Sequence, residues 1–277
     1  MLKHYHVGGG ISESRGTTYT AGTTVSATTI TASGTANAKG SWSSLGTVGY
    51  ETNYIIVSLS NIAASNKLVD IGINDGSGNY HVIAANLYVP GAKYADLAWY
   101  YPLPLRIPEG AQIGARCQAS TASHTLDVHV QCFSRGLNGA PGYARMDWIN
   151  SATTNSRGIT IDPGATALTK GAWTQIQSST SVTYDALMMA VGFAGDVART
   201  ATATCLVDIG LGAASSEFVI VPNVYLRWTA TSDGPEYVIG HMPVEVPQAS
   251  RVVARAACSD ATAGDRTLDV ALYGFVR

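Results

Sequence analysis

The chain has 277 residues with a formal net charge of -2, of which 46% are apolar and only 13% charged. Soluble domains average roughly 25% charged residues, so Ser, Thr, Gly, Asn and Tyr must cover much of this surface. A near-neutral balance without a basic block excludes the footprint of nucleic-acid binding; the apolar content excludes a disordered chain, and no apolar run approaches the ~20 residues of a membrane-spanning helix.

In chain order, residues 1–35 carry Gly8-Gly9-Gly10 and a Ser/Thr/Ala/Gly tract with little to bury, which reads as an extended N-terminal arm. Its start lacks the apolar core of a secretory signal, so none is expected; His4 and His6 read as solvated tail residues rather than metal ligands. Residues 36–134 follow with period-two apolar alternation. Strands are expected at Tyr54–Leu59, Leu68–Ile73, His81–Leu87, Gln112–Cys117 and Leu126–Cys132, punctuated by Gly, Pro and Asn. Residues 135–160, rich in Gly, Asn and Ser, have linker composition. Residues 161–277 resume the alternation, at Leu187–Gly192, Cys205–Ile209, Phe218–Val224, Arg251–Ala256 and Leu268–Leu272.

The two alternating regions are copies of each other. Lys39-Gly40-Ser41-Trp42 recurs as Lys170-Gly171-Ala172-Trp173, and Val69-Asp70-Ile71-Gly72 as Val207-Asp208-Ile209-Gly210. Val82-Ile83 followed by Asn86 recurs as Val219-Ile220 followed by Asn223, and Thr125-Leu126-Asp127-Val128 as Thr267-Leu268-Asp269-Val270. Matching words in one order and at nearly constant spacing mark a tandem duplication. Short alternating strands without a capped amphipathic helix make the expected fold all-β: two β-sandwich or jelly-roll-like modules behind an arm.

The sequence carries few groups arranged for catalysis. No HExxH or GxSxG motif occurs, and the six histidines are not repeated between copies. Asn74-Asp75-Gly76 has calcium-loop oxygens but no counterpart in the second copy, and reads as a turn. Val207 to Gly212 lacks the third glycine and the helix of a dinucleotide loop. Cys117, Cys132, Cys205 and Cys258 read as buried thiols, with Cys117 at a core position that Ala256 fills in the other copy. No cofactor is expected.

The repeat anchors are Trp42, Asp70, Arg116 and Asp127 in copy one and Trp173, Asp208, Arg255 and Asp269 in copy two. Duplicated carboxylates could suggest a paired-acid glycan hydrolase, but a within-module pair that occurs twice reads better as a structural device, with Arg116 and Arg255 as cross-strand partners. Tyr94, Trp99, Tyr100 and Tyr101, echoed by Tyr225, Trp228 and Tyr237, are assigned to the longest loop of each copy, as protein-interface or glycan contacts.

Taken together, Lys39-Gly40-Ser41-Trp42, Val69-Asp70-Ile71-Gly72, Pro104-Leu105-Arg106-Ile107-Pro108-Glu109-Gly110 and Ala115-Arg116-Cys117-Gln118-Ala119-Ser120 resemble β-sandwich modules of tailed-bacteriophage structural proteins. The resemblance spans both modules, and copy two departs from it at Pro243-Val244-Glu245-Val246-Pro247. It implies a non-enzymatic virion subunit, assembled in the host cytoplasm as capsid decoration or as a neck or tail component. The expected partners are other virion proteins and further copies of the chain; a carbohydrate-binding module that contacts host-surface glycan is the alternative.

Overall fold

The computed structural model describes residues 4–7, 11–14, 27–60, 65–74, 76–91, 99–133, 142–150, 154–193, 200–228 and 237–277. Two strands lie in the arm, β1 (His4–Val7) and β2 (Ile11–Ser14). The first module has β3 (Thr28–Thr31), β4 (Ser43–Thr47), β5 (Tyr54–Ser60), β6 (Lys67–Asn74), β7 (His81–Val89), β8 (Trp99–Leu103), β9 (Gln112–Ala119) and β10 (Thr125–Phe133). After β11 (Arg145–Trp148), the second module has β12 (Ile159–Ile161), β13 (Thr174–Gln177), β14 (Ala186–Phe193), β15 (Ala203–Leu211), β16 (Phe218–Trp228), β17 (Tyr237–Met242), β18 (Val252–Cys258), the one-turn helix α1 (Ala263–Arg266) and β19 (Leu268–Val276). The fold is all-β, a tandem pair of β-sandwiches. None of the described helices is long and apolar enough to cross a membrane.

The modules match strand for strand. In the first, β3, β10, β5 and β8 form one sheet and β4, β9, β6 and β7 the other; in the second, β12, β19, β14 and β17 face β13, β18, β15 and β16. Alternation explains the burial. In β10, Leu126, Val128, Val130 and Cys132 are buried, and Asp127, His129, Gln131 and Phe133 lie on the outer face. Each fully buried Val or Leu contributes about 1.5–3 kcal/mol of apolar transfer.

The boundaries differ from the sequence reading in two places. β3 falls inside the stretch assigned to the arm and pairs with β10, while β11, inside the stretch assigned to the linker, and β12, which crosses that stretch's end at residue 160, both pair with β19. Each of these short strands buries one apolar side chain, Ile30, Met146 and Ile161 respectively, and a single buried residue shows no period.

The modules are fused rather than merely linked. β11 pairs antiparallel with β19 and meets β7 in parallel at Met146 and Ala84, giving one sheet of order β17-β14-β19-β11-β7-β6-β9-β4. The outer face of β14 and β19, with Ala186, Met188, Ala190, Ala271, Tyr273 and Phe275, joins the first module's core.

Candidate functional site

The repeated words converge in space on one constellation, built twice. On the outer face of β6, Asp70 lies directly opposite Arg116 of β9, and Asp208 of β15 lies directly opposite Arg255 of β18. The guanidinium Nε donates to the carboxylate Oδ2 at 2.9 Å in copy one and 3.0 Å in copy two. The same guanidinium groups lie 4.7 Å from the Trp42 ring centroid and 4.3 Å from that of Trp173, a cation–π contact. A glycine clears room for each indole: a Cβ on Gly72 would lie 2.7 Å from the Trp42 ring, and one on Gly210 2.8 Å from that of Trp173.

Two further groups complete the clamp. Lys39 donates to Asp70 Oδ1 at 2.8 Å, to the Asn86 side chain at 2.7 Å and to the Leu68 carbonyl at 3.1 Å. Lys170 repeats this with Asp208 at 2.7 Å and the Leu206 carbonyl at 2.9 Å. The other face of the carboxylate meets a β-bulge. Two residues, Ala85 and Asn86, oppose Asp70, and two, Pro222 and Asn223, oppose Asp208. Asn86 (φ 53°) and Asn223 (φ 50°) take the left-handed conformation that Asn tolerates better than other side chains. Their backbone N–H groups donate to Asp70 and Asp208 at 2.9 and 2.8 Å.

The carboxylate therefore ties three segments together: the loop before β4 or β13, the bulge, and the neighbouring strand. Burial pushes the Asp208 carboxyl up, but donation from Lys170, the Asn223 N–H and Arg255 outweighs it and holds the group below the usual carboxylate range. Burial lowers Lys39 against the opposing pull of Asp70. With three donors on each carboxylate, the group is a joint between segments. Lys39, Lys170, Asn86 and Asn223 had no assigned role in the sequence, although all four stand in its repeated words.

Asp127 and Asp269 form a second duplicated joint. Thr29 of β3 donates to Asp127 at 2.6 Å and Thr160 of β12 donates to Asp269 at 2.7 Å, so each carboxylate holds the short first strand of its module. The Asn74 Oδ1 accepts from the N–H groups of Gly76 and Gly78 at 2.9 and 3.1 Å, closing a turn; Asp75 lies outside the described residues.

The aromatic set divides. Trp99, Tyr101 and Trp228 are core residues on strands β8 and β16, not loop residues. Trp99, Tyr101 and Leu103 alternate inward with Tyr100 and Pro102 outward, the pattern of a strand. Tyr100 and Tyr225 are exposed, Tyr237 lies in β17, and Tyr94 is outside the described residues. All four cysteines are buried, and none is in a disulfide. Cys205 and Cys258 lie directly opposite on β15 and β18, and a hydrogen bond between the two thiols lowers Cys258 to about 7; burial raises Cys117 to about 11.

The seam between the modules uses residues that the sequence did not single out. The Tyr88 N–H donates to the Tyr273 hydroxyl at 2.8 Å, and that hydroxyl donates to the Asn86 carbonyl at 3.0 Å. Tyr101 donates to the Tyr88 carbonyl and meets Tyr273 edge to face, with ring centroids 6.2 Å apart. Asn86 thus belongs to both the clamp and the seam.

No family model matches the sequence, and no curated protein does. Among solved structures, the chain is similar to the N-terminal CBM22-1-CBM22-2 tandem domain of Xyn10C from Paenibacillus barcinonensis, at 11% identity over 84% of this chain and 82% of that one, with a TM-score of 0.25. At that score the similarity carries no argument, and the fold assignment rests on the strand pairings of this chain.

Proposed function

We propose that the chain is a non-catalytic structural subunit of a tailed-phage particle, working as capsid decoration or as a neck or tail component. The observation that carries the reading is the use of the duplicated carboxylates. All four are engaged in joints between strands and loops, which is what a load-transmitting scaffold needs and what a paired-acid hydrolase could not spare. The low-charge surface and the resemblance of the repeated words to phage structural modules support it as well. The test is mass spectrometry of purified particles: a stoichiometric, fixed number of copies per particle is expected, and absence from particles overturns the reading.

A glycan-binding module needs exposed rings for sugars to stack on. Of the seven aromatic residues considered for that role, Trp99, Tyr101 and Trp228 are spent on the core. A groove of about 490 Å³ beside the first clamp is lined by Thr29, Thr31, Ser33, Lys39 and small neighbours, with no ring among the described residues of its wall. Wild type and Tyr100→Ala are therefore both expected at background on a glycan array. A sugar signal that Tyr100→Ala abolishes would favour the carbohydrate-binding reading instead.

A further inference from the structure

The duplication supplies an internal control for exposure, because each position in module two has a counterpart whose surroundings are known. β7 and β16 correspond residue for residue from His81/Phe218 through Asn86/Asn223 to Tyr88/Tyr225. Module two covers β7 from Ala84 to Tyr88 but not its start at His81, which is exposed: Tyr88 is 0% exposed, Ala84 is in register with Met146, and the Tyr88 N–H meets Tyr273. Among the described strands β16 is the last of its sheet, with Tyr225 60% exposed, Phe218 58% exposed and Val219 38% exposed. The same contrast holds at a second point. Asn37 accepts a hydrogen bond from Ser156 of the inter-module segment at 2.8 Å, whereas its counterpart Leu168, with the same left-handed φ and the same type of backbone bond, is 76% exposed.

The complementary surface is also present. In module two the face that covers Tyr88 belongs to β14 and β19, and module one presents the equivalent face on β5 and β10 with β8 at its edge. The one remaining large exposed apolar side chain among the described residues, Tyr100 at 56%, stands on that face, opposite Ser58. β2 runs parallel to the end of β10 at Val130–Phe133 and carries β1 on its far edge, whereas β11 runs antiparallel to the end of β19 and meets β7, so the side-chain faces, and not the strand pairing, are what the two modules share.

We propose that β16 and its surroundings are a docking surface for the first module of a second copy of this chain, in a head-to-tail contact that repeats the junction between the two modules. Among the described residues, Tyr225, Leu168 and Tyr100 then lie on the two surfaces the contact joins, while Phe218 stays at the margin, as its exposed counterpart His81 does. The two faces differ, so the contact is heterologous and propagates into a ring or a longer array rather than stopping at a two-fold dimer. An unpaired strand edge with apolar side chains is the feature that soluble proteins otherwise blunt. The inference goes beyond the particle assignment and does not depend on it, because it concerns the purified chain alone.

Sedimentation velocity of the purified protein, from low to high micromolar concentration, tests it. Wild type is expected to associate beyond a dimer, and Tyr225→Glu or Tyr100→Glu to weaken association at least tenfold with the thermal midpoint unchanged, since both side chains face solvent in the single chain. Mixing the two variants is the decisive arm. Each retains one intact face, so the mixture should form one-to-one dimers and stop there. A monomeric wild type, association untouched by Tyr225→Glu, or a mixture that stays monomeric would each overturn the proposal. A two-fold dimer through β16 alone, or a different protein as the only binder of this face, would do so equally.

Discussion

Asp70→Ala and Asp208→Ala are each expected to destabilise the protein by about 3 kcal/mol, and by nearly equal amounts. Removing one partner of a buried ion pair leaves the others uncompensated, a loss of about 3–5 kcal/mol. The lower end applies because Lys39 and Arg116, like Lys170 and Arg255, keep partial access to water. The bulge also loses the acceptor for the Asn86 or Asn223 N–H. At about 2–4 °C per kcal/mol for a chain of this size, each variant should melt roughly 6–12 °C below wild type; Asp70→Asn, which keeps an acceptor, should lose less. Equal losses mark a device built twice for architecture. If one carboxylate could be replaced without cost while the other could not, the copies would have different roles.

The clamp also carries a pH signature. In the folded chain Asp208 titrates below its ordinary value, so its contribution is complete above the unfolded carboxylate pKa of about 3.9 and is lost as pH falls through the lower folded value. Wild type should lose stability steeply below about pH 4, and Asp208→Asn should flatten that slope.

Tyr273→Ala should have the second large effect, about 3–5 kcal/mol from the loss of a fully buried aromatic side chain. The consequence extends past the midpoint. Tyr273 holds β7 through the Tyr88 N–H and the Asn86 carbonyl, so wild type is expected to unfold in one calorimetric transition. Weakening the seam should split that transition into two, one per module. Tyr273→Phe isolates the hydroxyl and should cost about 1–3 kcal/mol, the penalty of a buried donor left unpaired. A single transition at the wild-type temperature in Tyr273→Ala would show that the seam does not couple the modules.

The duplication is legible because the repeated words are those whose chemistry the clamp demands: Trp42 over Gly72, Asp70 facing Arg116, and Asn86 in a left-handed bulge. A bulge, a loop and a neighbouring strand meet at one carboxylate, so few residue types fit, and both copies carry the same ones. The short strands β3, β11 and β12 leave no such trace, because Thr28-Thr29-Ile30-Thr31 offers one buried side chain and no alternation. Trp99 to Leu103 had the alternation of a strand, but its aromatic density drew it toward a surface reading. The seam is the instructive case. Tyr88 and Tyr225 are the same residue in the same repeat position, yet one is buried and the other exposed, and no local pattern separates them. The signal lay on the other side of the junction: Leu268, Val270 and Leu272 alternate with Ala271, Tyr273 and Phe275, so β19 is apolar on both faces, the mark of a strand buried on both sides. Its counterpart β10 has His129 and Gln131 on the outer face. That difference is readable once the two strands are set side by side.

In the proposed contact, the exposed β16 face repeats the covered β7 face and takes the first module of another copy. Gln131 occupies in module one the place of Tyr273 in module two, so it should face Tyr225 of the neighbouring chain as Tyr273 faces Tyr88. Chains carrying Tyr225→Cys and chains carrying Gln131→Cys, mixed and mildly oxidised, test this directly; the native cysteines are all buried. The expected product is a disulfide-linked dimer containing one chain of each kind, with little linking of either variant to itself. Efficient linking of Tyr225→Cys chains to one another, with none in the mixed pair, would contradict it.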